Sequence, residues 1–125
     1  MATVVVDASA LAAMLFGEPE GERVVSALEG KDLAAPRLLP FEIANVALVK
    51  LRRRSAPRSS LELGLESFEA LSVGLHDVPA GHAFAVAAEA RLSPYDASYL
   101  VLAIALGAEL VTLDRELQRA FREMR

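Results

Sequence analysis

The sequence predicts an α/β fold, a single layered domain built on a largely parallel sheet, and three observations carry that expectation. Short apolar runs rich in β-branched residues alternate with longer segments of helical periodicity along the whole chain. The first such run, Thr3 to Val6, reads TVVV and is too short and too apolar for anything but a strand inside a sheet. The stretch LSPYDASYLVLAIALGAELVTLDREL, from Leu92 to Leu117, passes through helix start, apolar helix, glycine stop, strand and second helix start in succession.

Taken in order, the first strand stops at Asp7, a natural N-cap for the Ala- and Leu-rich helix ASALAAMLF. Gly17, Glu18 and Pro19 break that helix. Glu20 to Leu28 forms a second, with Val24, Val25 and Leu28 on one face, and Gly30 closes it. Leu33 to Ala35 is a weak strand ending at Pro36. A long helix follows, from about Leu38 to Arg54, with Leu39, Ile43, Val46, Ala47 and Lys50 spaced at threes and fours. Pro40 belongs in its opening turn, which places Glu42 there as well. Lys50, Arg52, Arg53 and Arg54 put cations at the negative end of the helix dipole.

Ser55 to Ser60 forms a polar turn around Pro57, and Ser59 or Ser60 caps a helix running to about Leu71. Val73 to Val78 is a third, poorer strand, interrupted by His76 and Asp77. Pro79, Ala80 and Gly81 lead into an alanine-rich helix ending near Arg91. Ser93 caps the next helix, with Pro94 at its first position, where the missing N–H costs nothing. Ala97 to Leu106 is apolar apart from Ser98, which predicts a helix buried nearly all round. Gly107 ends it, Leu110 to Leu113 reads as an interior strand, and Arg115 to Met124 forms the last helix.

At 125 residues and 13.4 kDa, the chain suffices for one domain with a real core, residues 1–125 as one unit, and is too short for two. A hydrophobic share of 54% excludes wholesale disorder. A net charge of −4 and a pI near 5.2 argue against a surface coated in positive charge, though a local basic groove is compatible with both. The absence of cysteine excludes disulfides and thiolate metal sites. The first residues, MATVVVDASALAAMLF, have no basic n-region and carry Asp7 where a signal peptide is apolar. The longest apolar run, Tyr99 to Ala108, is half of the roughly 20 residues that a membrane span needs. A cytoplasmic protein with no membrane association is the expectation.

Asp7, Glu42, Asp96 and Asp114 each stand at the opening of a helix. Singly, each reads as a cap or as a first-turn acid complementing the dipole, and Ser93-x-x-Asp96 has the form of a capping box. Together they mean more. In a parallel sheet all strand C-termini lie along one edge, where ligand sites form, and these acids converge on that edge. Carboxylates gathered in a low-dielectric cleft repel one another unless positive charge sits between them. All-oxygen ligands favour a hard cation, Mg²⁺ or Mn²⁺, and ions so held suit phosphodiester hydrolysis.

The runs VVVDASAL, LLPFEIANVALVKL and LSPYDASYLVLAIALGAELVTLD resemble the PIN-domain ribonucleases, particularly the VapC-type toxins of type II toxin–antitoxin pairs. The resemblance covers nearly the whole chain. It implies a PIN-like three-layer α/β/α fold with a central parallel sheet of about four strands flanked by about seven helices. It implies a Mg²⁺- or Mn²⁺-dependent endoribonuclease that hydrolyses RNA with metal-activated water. Asp7, Glu42, Asp96 and Asp114 are then the catalytic acids and the ligands of one or two ions. Thr112 matches the family's hydroxyl beside the final acid, and Ser9 and Asn45 take support roles. A homodimer and a VapB-type antitoxin whose tail fills the active-site groove are implied as well. Many relatives add a short strand after the last helix, whereas this sequence stops at Arg125. Where some carry a further aspartate, this chain has Glu116, read as facing solvent.

Arg52, Arg53, Arg54 and Arg58 read equally as a guide for an RNA backbone and as a solvated helix end. His76 and His82 are read as surface or edge residues. Tyr95 and Tyr99 flank Asp96; packing between helices is favoured over stacking on a base, above all for Tyr99. The small side chains from Ala83 to Ala90 predict close helix packing, with a dimer interface as a candidate place for it. Two rival functions stand beside the nuclease. A receiver-like signalling domain calls for an acidic pair after the first strand and a late lysine, whereas this chain has a single Asp7 and no lysine after Lys50. A non-catalytic PIN-like interaction module would keep the fold and bind its antitoxin without cutting.

Overall fold

A strand that is apolar along its whole length must be covered on both faces, and this chain does so with helices that alternate with its strands. The computed structural model describes all residues from Met1 to Arg125. Four parallel strands, β1 (Thr3–Val6), β2 (Asp32–Pro36), β3 (Gly74–His76) and β4 (Glu109–Val111), form one sheet in the order β3-β2-β1-β4. Seven helices surround it: α1 (Ala8–Leu15), α2 (Gly21–Leu28), α3 (Leu39–Arg52), α4 (Arg58–Ala70), α5 (Ala80–Ala90), α6 (Pro94–Leu106) and α7 (Arg115–Met124). This is the PIN-like α/β/α layering. The order, with four strands and one acid after β1, differs from the five-stranded order of a receiver-like domain.

β1 lies between β2 and β4, with Val5 opposite both Ala34 and Leu110, so Val4, Val5 and Val6 are all buried. Its central place explains the unbroken TVVV pattern. One hydrophobic cluster joins β1 and β2 to α1, α2, α3, α6 and α7. α3 contributes Leu39, Ile43 and Ala47, one residue per turn; α7 contributes Leu117, Ala120 and Phe121. α2 starts hard against the end of α1, where a Cβ on Gly21 would meet the Ala13 carbonyl oxygen at 2.6 Å.

The helices and strands depart from the sequence expectations at four places. β4 is an edge strand, paired only with β1, and ends at Val111 instead of Leu113. Its apolar composition follows from contacts with α2 and α6, while its outer edge is open. α6 is not buried all round: its buried residues lie between Ala97 and Ala103, and Ile104 and Leu106 in its last turn are 42% and 41% exposed. α4 begins at Arg58, and Ser60 donates to the Pro57 carbonyl at 2.9 Å instead of capping the helix. β3 is shortened to Gly74–His76. The small residues of α5 pack along α6 within the chain. No helix is long and apolar enough to cross a membrane.

Candidate active site

Asp7 follows β1 directly, and its N–H donates to the Val111 carbonyl at 3.2 Å, extending the β1–β4 ladder by one residue. Its side chain caps α1: Oδ1 accepts from the Ala10 N–H at 3.0 Å and from the Ser9 hydroxyl at 2.7 Å. Oδ2 accepts from the Thr112 hydroxyl at 2.5 Å. Asp7 is 5% exposed, and burial pushes its carboxyl above the usual range, outweighing these hydrogen bonds; the charge of Asp96 adds to the rise.

Thr112 links two of the acids. While donating to Asp7, its oxygen accepts from the Asp114 N–H at 3.0 Å, and its carbonyl accepts from the Gln118 amide at 2.8 Å. Ser9 does the same one step over, accepting from the Leu113 N–H at 3.0 Å. Asp114 caps α7, its Oδ1 accepting from the Leu117 N–H at 3.0 Å. The ends of β1 and β4 are thus tied through side chains as well as backbone.

Glu42 lies in the first turn of α3, partly buried, and accepts from the Tyr99 hydroxyl at 2.5 Å. Tyr99, 1% exposed in α6, packs between elements as expected, and its hydroxyl is aimed at an acid. Burial raises the Glu42 carboxyl, Tyr99 partly opposes it, and the charges of Asp96 and Asp7 push further upward. Burial and the bond to Glu42 push the Tyr99 hydroxyl far out of the titrating range, so it stays a donor. Asp96 stands in the first turn of α6, its N–H donating to Ser93 Oγ at 3.0 Å. Burial and the charge of Asp114 raise its carboxyl despite the Ser93 bond.

The acids at four separate helix starts are therefore linked through their charges, Asp96 acting on Asp7 and Glu42, Asp7 on Glu42, and Asp114 on Asp96. None is ion-paired with a lysine or arginine. No three His, Cys, Asp or Glu side chains close into a ready-made metal cage. Asn45 is exposed, three residues beyond Glu42 on the same face of α3. Arg52, Arg53 and Arg54 are exposed at the far end of α3, roughly 15 Å from Glu42 at 1.5 Å per residue, and Arg58 pairs with Glu62 at 3.5 Å. Glu116 faces solvent, paired with Arg119 at 2.8 Å. Tyr95, expected to pack between helices, is exposed instead, because the first turn of α6 projects it outward. The sequence reading did not single out Gln118 or Phe41. An aromatic directly before an acid, as in Phe41-Glu42 and Tyr95-Asp96, was the available signal for Phe41.

The chain matches the family described as PIN domain over residues 4–122. It is similar to "Ribonuclease VapC3" of Pyrobaculum aerophilum, 37% identical over 124 residues, 94% of each chain. It is also similar to "Ribonuclease VapC9" of Mycobacterium tuberculosis, 32% identical over 114 residues, covering 91% of this chain and 87% of that one. Among solved structures, PAE2754 from Pyrobaculum aerophilum superposes with a TM-score of 0.77 at 31% identity, over 95% of this chain and 86% of that one. The chain belongs to the PIN domain family and is of the VapC type.

Proposed function

We propose that this protein is a metal-dependent endoribonuclease, the toxin of a toxin–antitoxin pair, acting on RNA at Asp7, Glu42, Asp96 and Asp114. One observation carries the reading. The carboxyls of Asp7, Glu42 and Asp96, on separate elements, are raised by burial and further by the charges of neighbouring acids, Asp114 among them, and no cation is paired to any of the four. Helix capping requires none of that mutual repulsion, and an all-oxygen donor set of this charge fits a hard divalent cation.

One or two Mg²⁺ or Mn²⁺ ions bound there would supply water activation and charge neutralisation at the scissile phosphate. The protein's part is orientation. Asp7 is held by the Ser9 and Thr112 hydroxyls and the Ala10 N–H, so both of its oxygens have fixed directions. Glu42 is held by Tyr99 and Asp114 through its own N–H by Thr112. Asp96 has its backbone pinned by the Ser93 hydroxyl, which fixes where the first turn of α6 presents its carboxylate. Asn45 borders the site as a neutral polar group. Arg52, Arg53, Arg54 and Arg58 offer positive surface to RNA backbone beyond the scissile bond.

The names of the relatives support RNA as substrate and a VapB-type antitoxin as partner. We read the working form as a cytoplasmic homodimer, silenced when the antitoxin covers the acids. The test is cleavage of structured RNA by purified protein with Mn²⁺ or with EDTA. Cutting that needs Mn²⁺ and leaves 5′-phosphate and 3′-hydroxyl ends is expected. A 2′,3′-cyclic phosphate product overturns the mechanism. Antitoxin binding with no cutting of any RNA class replaces the nuclease with the non-catalytic module.

A further inference from the structure

Two large aromatic side chains are left in solvent beside the acids. Phe41 is 78% exposed and Tyr95 is 63% exposed. Each directly precedes an acid in the sequence, Phe41 before Glu42 and Tyr95 before Asp96. They come from different elements, the first turns of α3 and α6, yet line one shallow cavity of about 410 Å³. Leu38 and Val46 supply apolar wall, while Asn45 and Glu42 are its polar groups. Asn45 has both amide donors and a carbonyl acceptor to present.

We propose that this cavity is a nucleobase subsite. It takes one unpaired base adjacent to the scissile phosphate, stacked against Phe41 and Tyr95, with the Asn45 amide reading the base edge. The inference rests on the ribonuclease reading for the identity of the occupant. Three observations favour a base over an apolar side chain of a protein partner. Glu42 belongs to both the cavity and the acidic cluster, so whatever fills the cavity is held next to the phosphodiester being cut. The aromatic faces are uncharged and flat, suiting the planar, neutral part of a nucleotide, which the carboxylates do not repel. The cavity lies in the size range of small-ligand sites, about 300–1,000 Å³, and carries an amide able to pair with any base edge. Stacking on two aromatics tolerates all four bases; the amide then supplies preference.

The subsite can be tested without cleavage. RNA oligonucleotides with 2-aminopurine at successive positions are titrated onto Asp96→Asn protein, which retains the cavity. Quenching confined to one position is expected. Phe41→Leu or Tyr95→Leu in the same background should abolish it and weaken binding about tenfold, about 1.4 kcal/mol. Both side chains are exposed, so these variants fold. In otherwise wild-type protein each should lower kcat/KM by a similar factor, mainly through KM, and an abasic site at that position should cost wild type the same and the variants nothing more. Quenching at no position, or quenching that survives both substitutions, overturns the subsite. So does wild-type affinity for RNA in a variant that loses only its antitoxin. If 2-aminopurine is quenched while wild-type protein cuts no RNA, the subsite stands and the nuclease reading fails.

Discussion

Replacing Tyr99 by phenylalanine isolates one hydrogen bond with little else disturbed. The ring of Tyr99 is buried among core residues and phenylalanine keeps it, so no cavity forms. What disappears is the hydroxyl that donates to Glu42 at 2.5 Å. A hydrogen bond to a charged group is worth about 1.5–3 kcal/mol. Glu42 is only partly buried, so water replaces part of the loss, and the buried phenol hydroxyl no longer has to be desolvated. The net cost at pH 7.5 is therefore about 1.5 kcal/mol, at the bottom of that range. In urea the midpoint should fall by about 1 M with the slope unchanged. The bond lowers the Glu42 carboxyl, so its removal raises that carboxyl further above the ordinary value. The loss is then largest where Glu42 is ionised and shrinks as pH falls through its folded-state pKa. Paired with Glu42→Gln in a double-mutant cycle, most of the cost should appear as coupling. An unchanged midpoint at pH 7.5, or a loss of the same size at low pH, refutes the reasoning.

Other outcomes follow from the same contacts. Asp7, Glu42 and Asp96 all have raised carboxyls, so their contribution to stability is fully present below their unfolded values near pH 4 and is lost as pH rises through their folded values. Asp96→Asn removes one repelling charge; it should raise the melting temperature of metal-free protein at pH 7 and leave it nearly unchanged at pH 4. Thr112→Val strips Asp7 of a donor and leaves the Asp114 N–H without its acceptor, costing about 2–4 kcal/mol by chemical denaturation, with Thr112→Ser close to wild type. Gly21→Ala drives a methyl to 2.6 Å from the Ala13 carbonyl, which is backbone and cannot turn aside, and should cost about 1–3 kcal/mol.

Much of this architecture is written in local signals. β1 is legible because a central strand covered on both faces needs no alternation, and TVVV has none. α6 is bracketed by Ser93-Pro94 at one end and by Gly107, left-handed at φ 60, at the other. The four acids were legible as helix-start residues because each is one. The edge position of β4 was not, since an apolar pattern reports covered faces and is silent about which neighbours a strand has. Nor was the bond from Tyr99 to Glu42, which joins residues 57 apart on two different helices. Tyr95 and Tyr99 show the same limit at close range. They are one turn apart on α6, yet one faces the core and the other solvent, because the first turn overhangs the layer below.

The most direct test of the acidic cluster compares wild-type protein with Asp96→Asn on end-labelled structured RNA, each in Mn²⁺ and in EDTA, at equal folded concentration. Wild type is expected to cut only with Mn²⁺, and Asp96→Asn to lose at least about 100-fold, beyond the 10–100-fold typical of groups that merely support a ligand. Cutting that persists at the wild-type rate in Asp96→Asn would contradict the account, and would return Asp96 to the role of a first-turn acid in α6.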